Sequence, residues 1–130
     1  MKKGTLAVIT ALVAALLLTS NIRADEGKTT MDEKTSVVLI NPFTVPVGKV
    51  DEAIKAWEAG RDFLSQQPGY ISTKLHQSLT VDAQYQLINV AEWESPEAFR
   101  AATSAMRENG KFPPVEGVVV GPALYHVIRE

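Results

Sequence analysis

The chain has 130 residues, with 13 lysines and arginines against 15 aspartates and glutamates, a formal net charge of −2 and no cysteine. A slightly acidic chain offers no basic face to neutralise phosphates, so nucleic acid is excluded as the expected partner. The missing thiols exclude a disulfide framework, a cysteine nucleophile and a zinc–thiolate site, and leave stability to packing.

Residues 1–24 have the make-up of a cleavable signal peptide. Lys2 and Lys3 supply a positive start, residues 6–18 form an apolar run, and Ile22-Arg23-Ala24 offers a cleavage site before Asp25. The run is short against the ~20 residues needed to cross a bilayer. The expected product is therefore periplasmic or secreted, with no membrane attachment after cleavage. Loss of Lys2, Lys3 and Arg23 would take the net charge from −2 to −5. Residues 25–35 are polar apart from Met31 and read as a flexible leader, so one folded domain is expected over residues 36–130.

Residues 36–43 (SVVLINPF) are apolar and β-branched, which predicts a first strand. Pro46-Val47-Gly48 turns the chain into a helix over residues 49–66. There Val50, Ile54, Trp57 and Leu64 share a stripe with Ala53 and Gly60, and Asp51, Glu58, Arg61 and Asp62 lie on more polar faces. Gln67-Pro68-Gly69 stops that helix. Residues 70–78 alternate as a second strand, with Ile71, Thr73 and Leu75 on one face and Tyr70, Ser72, Lys74 and His76 on the other. A short polar link over residues 80–84 suggests a hairpin to a third strand over residues 85–93.

Ser95 then stands at an N-cap position, Pro96 at the first helical position and Glu97 in the first turn, opening a second helix over residues 96–107. Phe99, Ala102 and Met106 recur at helical spacing, and Asn109-Gly110 marks the end. Residues 111–122 are a Pro- and Gly-rich loop with room for a short strand at 118–120, and residues 123–128 close as the last strand. The order β-α-β-β-α-β is the ferredoxin-like α+β arrangement, an antiparallel sheet with both helices on one face. Strands one and three are apolar on both parities, so the uncovered face is expected to be buried as well, against a second protomer in a homodimer.

Asn89 and Trp93 lie four residues apart on the third strand and so share a face. A buried amide and indole need hydrogen-bond partners. Their spacing leaves two roles open, core groups bonded to nearby backbone or donors on a ligand cavity. Asn41, just before Pro42, is open in the same way, to a cavity or to a backbone partner. His76 is a candidate general base, because imidazole exchanges a proton near neutral pH, and otherwise a surface or interface histidine. His126 on the last strand reads as packed or at an edge. Two separated histidines without a carboxylate at ligand spacing argue against a metal site, and neither a phosphate-cradling glycine loop nor a serine elbow is present.

Three landmarks carry a family resemblance: Val47-Gly48-Lys49 before the first helix, Gln67-Pro68-Gly69-Tyr70 after it, and Asn89-Val90-Ala91-Glu92-Trp93-Glu94-Ser95 at the second junction. Together with the element order, over nearly all of residues 36–128, they resemble the antibiotic biosynthesis monooxygenase family. The resemblance implies a dimeric α+β barrel that oxidises a small aromatic substrate with O2, without metal, flavin or other cofactor. In quinone-forming members an Asn and a Trp at this spacing position the substrate and the oxygen-derived group. That implies catalytic roles for Asn89 and Trp93, with His76 where a histidine often sits in the family, and Asn41, Trp57 and Phe99 against the substrate. Phe99 replaces a tyrosine of those enzymes, so its hydroxyl is missing here. Their arginine has no counterpart at matching spacing, although Arg107 is near. A haem-degrading branch of the fold carries an Asn on strand one, a Trp in helix two and a His beyond; Asn41 matches the first, while Ala102 and Phe112 occupy the other places. The function implied is a cofactor-independent monooxygenase taking a quinol or polycyclic phenol to a quinone. The alternative is a non-catalytic exported binding or stress-response module that holds a small apolar ligand in the same cavity.

Overall fold

In a computed structural model, which describes residues 36–130, five strands form one antiparallel sheet and two helices pack on one of its faces. The signal peptide, its cleavage site and the polar leader expected over residues 1–35 lie outside the described residues. The strands are β1 (Val37–Thr44), β2 (Tyr70–Gln77), β3 (Leu87–Trp93), β4 (Val119–Val120) and β5 (Ala123–Tyr125), and the helices are α1 (Val50–Leu64) and α2 (Pro96–Glu108). The order across the sheet is β2-β3-β1-β4, with β5 also on β1, which is the ferredoxin-like topology expected from the element order.

The last strand is broken in two. β4 pairs Val120 with Phe43, and β5 pairs Ala123 with Ile40 and Tyr125 with Val38. The gap falls at Gly121 and Pro122, against Asn41 and Pro42, where neither proline has an N–H to add to the ladder. Gly121 N–H bridges the break, donating to the Pro42 carbonyl and to Asn41 Oδ1, each at 3.0 Å. Val127 and Ile128, expected in this strand, lie beyond its end and are exposed.

α2 starts as its sequence dictates. Ser95 is extended, and its Oγ accepts the Ala98 N–H at 3.1 Å, with Pro96 in the first turn. The turn before β2 is locked onto this junction. The Gly69 carbonyl accepts the Glu94 N–H at 2.8 Å, Gly69 has φ +86°, and a Cβ there would collide with Ala98. Two stretches distant in sequence thus meet where β3 turns into α2.

The helix-facing side of the sheet carries Val37, Leu39, Asn41 and Phe43 from β1, paired across to Trp93, Ala91, Asn89 and Leu87 from β3. Three of these four levels are apolar pairs and one is an asparagine pair. The core divides at that polar level. One buried cluster holds Val37, Leu39, Ala91, Trp93 and Ala102, and the other holds Phe43, Val45, Ala53 and Leu87.

Candidate active site

Small side chains make the room. α1 turns Ala53, Ala56 and Gly60 toward the sheet, all buried, and β3 offers Ala91 beneath them. A cavity of about 480 Å³ remains between sheet and helices, within the range that holds small ligands in known sites, ~300–1,000 Å³. Gly60 is held small by a neighbour: a Cβ there would stand 2.7 Å from the Phe112 ring, which forms part of the cavity wall. The loop after α2 supplies that wall, with Val118 and Val120 beside Phe112.

Asn89 is 8% exposed, the only buried polar residue among those described, and it sits on the cavity wall. Thr73 Oγ1 donates to its Oδ1 at 2.6 Å. With the oxygen thus engaged, the amide N–H groups are the part of the side chain left to face the cavity. Trp93 is 1% exposed and sandwiched edge-on, its ring 5.6 Å from that of Tyr70 and 5.8 Å from that of Phe99. Among the described residues nothing accepts from its indole N–H, and no side-chain nitrogen or oxygen sealed from solvent lacks a partner. Trp93 lines the cavity, and its indole N–H is the donor it can offer there.

Asn41 faces Asn89 across the β1–β3 pair and also lines the cavity. Both of its open roles are realised, since the same side chain holds Gly121 and with it the broken strand. Trp57 and Phe99 line the cavity as well. His76 does not. It stands on the other face of the sheet, exposed, with Nδ1 3.2 Å from the Ile88 carbonyl, and nothing places it within reach of a ligand beside Asn89.

Among the wall residues outside the expected site are Tyr70, Thr73, Arg61 and Arg107. Strict alternation puts Tyr70 on the face of His76, but an irregularity between Tyr70 and Ser72 resets the register, so that Tyr70 pairs with Trp93 and turns inward. Thr73 pairs with Ala91 and reaches Asn89 diagonally, a contact legible only once the hairpin register is known. Arg61 lies over the Trp57 ring at 5.2 Å and is bound by Asp62 Oδ1 through Nε at 3.0 Å and Nη2 at 2.8 Å. Among the described residues the wall carries no aspartate, glutamate or histidine, and no three metal-ligating side chains converge anywhere.

Comparison with known proteins agrees with this architecture. The family described as antibiotic biosynthesis monooxygenase matches residues 36–106. A candidate monooxygenase of Shewanella loihica is 53% identical, with 74% of this chain and 97% of that one covered and a TM-score of 0.69. The cofactor-independent oxygenase SnoaB of Streptomyces nogalater is 21% identical over 74% of this chain and 96% of its own, with a TM-score of 0.60, a likeness of fold. A haem-degrading protein of Mycobacterium tuberculosis is 26% identical, with 75% and 96% covered and a TM-score of 0.51. No curated protein matches the chain.

Proposed function

The chain belongs to the antibiotic biosynthesis monooxygenase family, and on that premise we propose that it is a cofactor-independent monooxygenase converting a polycyclic phenol or quinol to a quinone with O2. One observation carries the reading: one cavity in the apolar core is lined both by its single polar level, with the Asn89 amide, and by the Trp93 indole, so that two hydrogen-bond donors share its wall.

In such a reaction the substrate supplies the electrons. A phenolate gives one electron to O2, and the aryloxyl radical and superoxide combine to form a bond from oxygen to a ring carbon. Proton uptake gives a hydroperoxide; the ring C–H proton leaves as the O–O bond breaks and water departs. Phenol and O2 thus become quinone and water, the ring losing two hydrogens and gaining one oxygen. Negative charge is carried first on the phenolate and then on the superoxide and peroxide oxygens. Fixed N–H donors in a dry pocket stabilise such charge without reorganising. Asn89 and Trp93 are the donors we assign to this task. With no carboxylate or imidazole on the wall among the described residues, the phenolic proton leaves to water, and the cavity acts by favouring the anion.

Haem degradation fits these residues poorly. Iron in such a pocket is held by a proximal histidine, and neither His76 nor His126, the two histidines of the chain, lines the cavity. We also assign a homodimer. The sheet face away from the helices carries Val38, Ile40, Ile88 and Val90, all half-buried, beside Tyr125 at 49% exposure, and a continuous apolar face of this kind marks an interaction site. Export to the periplasm or medium belongs to the same reading and rests on the sequence of residues 1–24.

Quinone formation from a panel of anthrones and polycyclic phenols, in air and under argon, tests the proposal. The expected result is an oxygen-dependent rate above buffer, lowered at least tenfold by Asn89→Ala or Trp93→Phe, which is ~1.4 kcal/mol of transition-state stabilisation per decade. A parent protein that binds these compounds and adds nothing to the buffer rate would favour the binding module instead.

A further inference from the structure

We propose that the ligand of this cavity carries an anionic substituent, a carboxylate held by Arg107 at the end of the cavity remote from Trp93. The inference rests on the oxygenase reading only for the identity of the reacting ring; the charge argument stands on the wall itself.

The protein is acidic overall, yet the charged residues on the cavity wall among those described are two arginines, Arg61 and Arg107. They differ in how far their charge is met. Arg61 has its guanidinium bound to Asp62 at 2.8 and 3.0 Å and stacked over Trp57. Arg107 is exposed, and among the described residues it has no acidic partner. Arginine presents a planar fork suited to a carboxylate, and such a pair is a charge-assisted bond. A cationic group without an acidic partner on this wall serves an amphiphilic acid better than a neutral polycycle.

Position along α2 separates the two ends of the ligand. Phe99 packs on Trp93, and Arg107 follows it by eight residues, about 12 Å at 1.5 Å of rise per residue. A ring system lying against Trp93 would therefore reach Arg107 with a side arm at its far end. The carboxylate would then orient the ring and stand apart from Trp93, so that its charge bears less on formation of a phenolate at that end.

The test is equilibrium binding of two oxidised, non-reacting probes, anthraquinone-2-carboxylate and anthraquinone-2-carboxamide, to the full-length exported protein by calorimetry, with quenching of the cavity tryptophans as a second signal. The parent should bind the carboxylate five- to tenfold more tightly than the carboxamide at low salt, and the preference should shrink as ionic strength rises. Arg107→Gln, an exposed substitution that leaves the core intact, should remove the preference by weakening the carboxylate alone. Equal affinities in the parent, no binding of either probe, or an equal loss of both in Arg107→Gln would each overturn the proposal. Because neither probe turns over, a retained preference in a protein that oxidises nothing would sink the oxygenase reading and leave this one standing.

Discussion

Thr73→Val tests whether the orientation of the Asn89 amide matters and not merely its presence. The change is nearly isosteric and deletes only the hydroxyl that donates to Asn89 Oδ1 at 2.6 Å. A neutral hydrogen bond of this kind contributes ~0.5–1.5 kcal/mol net. At ~1 kcal/mol it holds about 85% of molecules with the N–H groups toward the cavity, and without it the two amide orientations approach equality, about 50% each. The competent population falls about 1.7-fold, and together with the lost polarisation of the amide by its partner this predicts a two- to fivefold lower kcat with KM within about twofold of the parent. Thermal unfolding should show a loss of about 1 kcal/mol from the same bond. Initial rates of quinone formation over a substrate series, with unfolding followed in parallel, give both numbers. Thr73→Ser keeps the hydroxyl and should restore kcat even where it loses a methyl group of packing. If serine and valine lower kcat equally, or valine leaves it untouched, then Thr73 is not a positioning residue for Asn89.

Gly60→Ala should destabilise by about 1–3 kcal/mol through overpacking against the Phe112 ring, at 2.7 Å from the new Cβ, despite alanine's better helix propensity; unfolding curves check it. Val90→Glu places a carboxylate on the bare sheet face, opposite Ile40, and should convert a homodimer to monomer in sedimentation, whereas a parent already monomeric would remove the dimer from the account. His76→Gln should leave kcat/KM within about twofold, because His76 lies on the face away from the cavity. The pH profile of the parent should follow the acidity of each phenol tried, rising with pH through that compound's own ionisation; an inflection common to all substrates and absent from His76→Gln would restore the histidine as a base.

The fold was legible because its signals are local. Pro46-Val47-Gly48, Gln67-Pro68-Gly69 and Ser95-Pro96 each fix a boundary by backbone chemistry, and the observed helices begin and end within two residues of where those signals put them. The third strand begins at Leu87 and not at residue 85; Gln86 ties the preceding loop to its start, its Nε2 donating to the carbonyls of Val81 and Ala83 at 3.0 Å. The bare second face was legible in the double-parity apolar pattern of β1 and β3.

The site was legible in part, and for a different reason. Asn89 and Trp93 stood out as groups with hydrogen-bonding needs in a largely apolar strand, and period-two geometry places them on one face. Tyr70 escaped, since one irregular residue in β2 flips the parity of everything before it, and sequence alternation carries no mark of such a slip. Thr73 escaped because its meaning lies in the cross-strand register. Arg107 required the crossing of α2 over the sheet, which helical periodicity alone does not supply.

Isotope labelling in a single turnover tests the central claim most directly. An anthrone mixed with the protein under 18O2 should give a quinone with one 18O atom, water carrying the other and no hydrogen peroxide, at a rate that collapses when Asn89 and Trp93 are replaced together. A quinone whose new oxygen comes from solvent, peroxide formed in equal amount, or a rate indifferent to those two residues would contradict it.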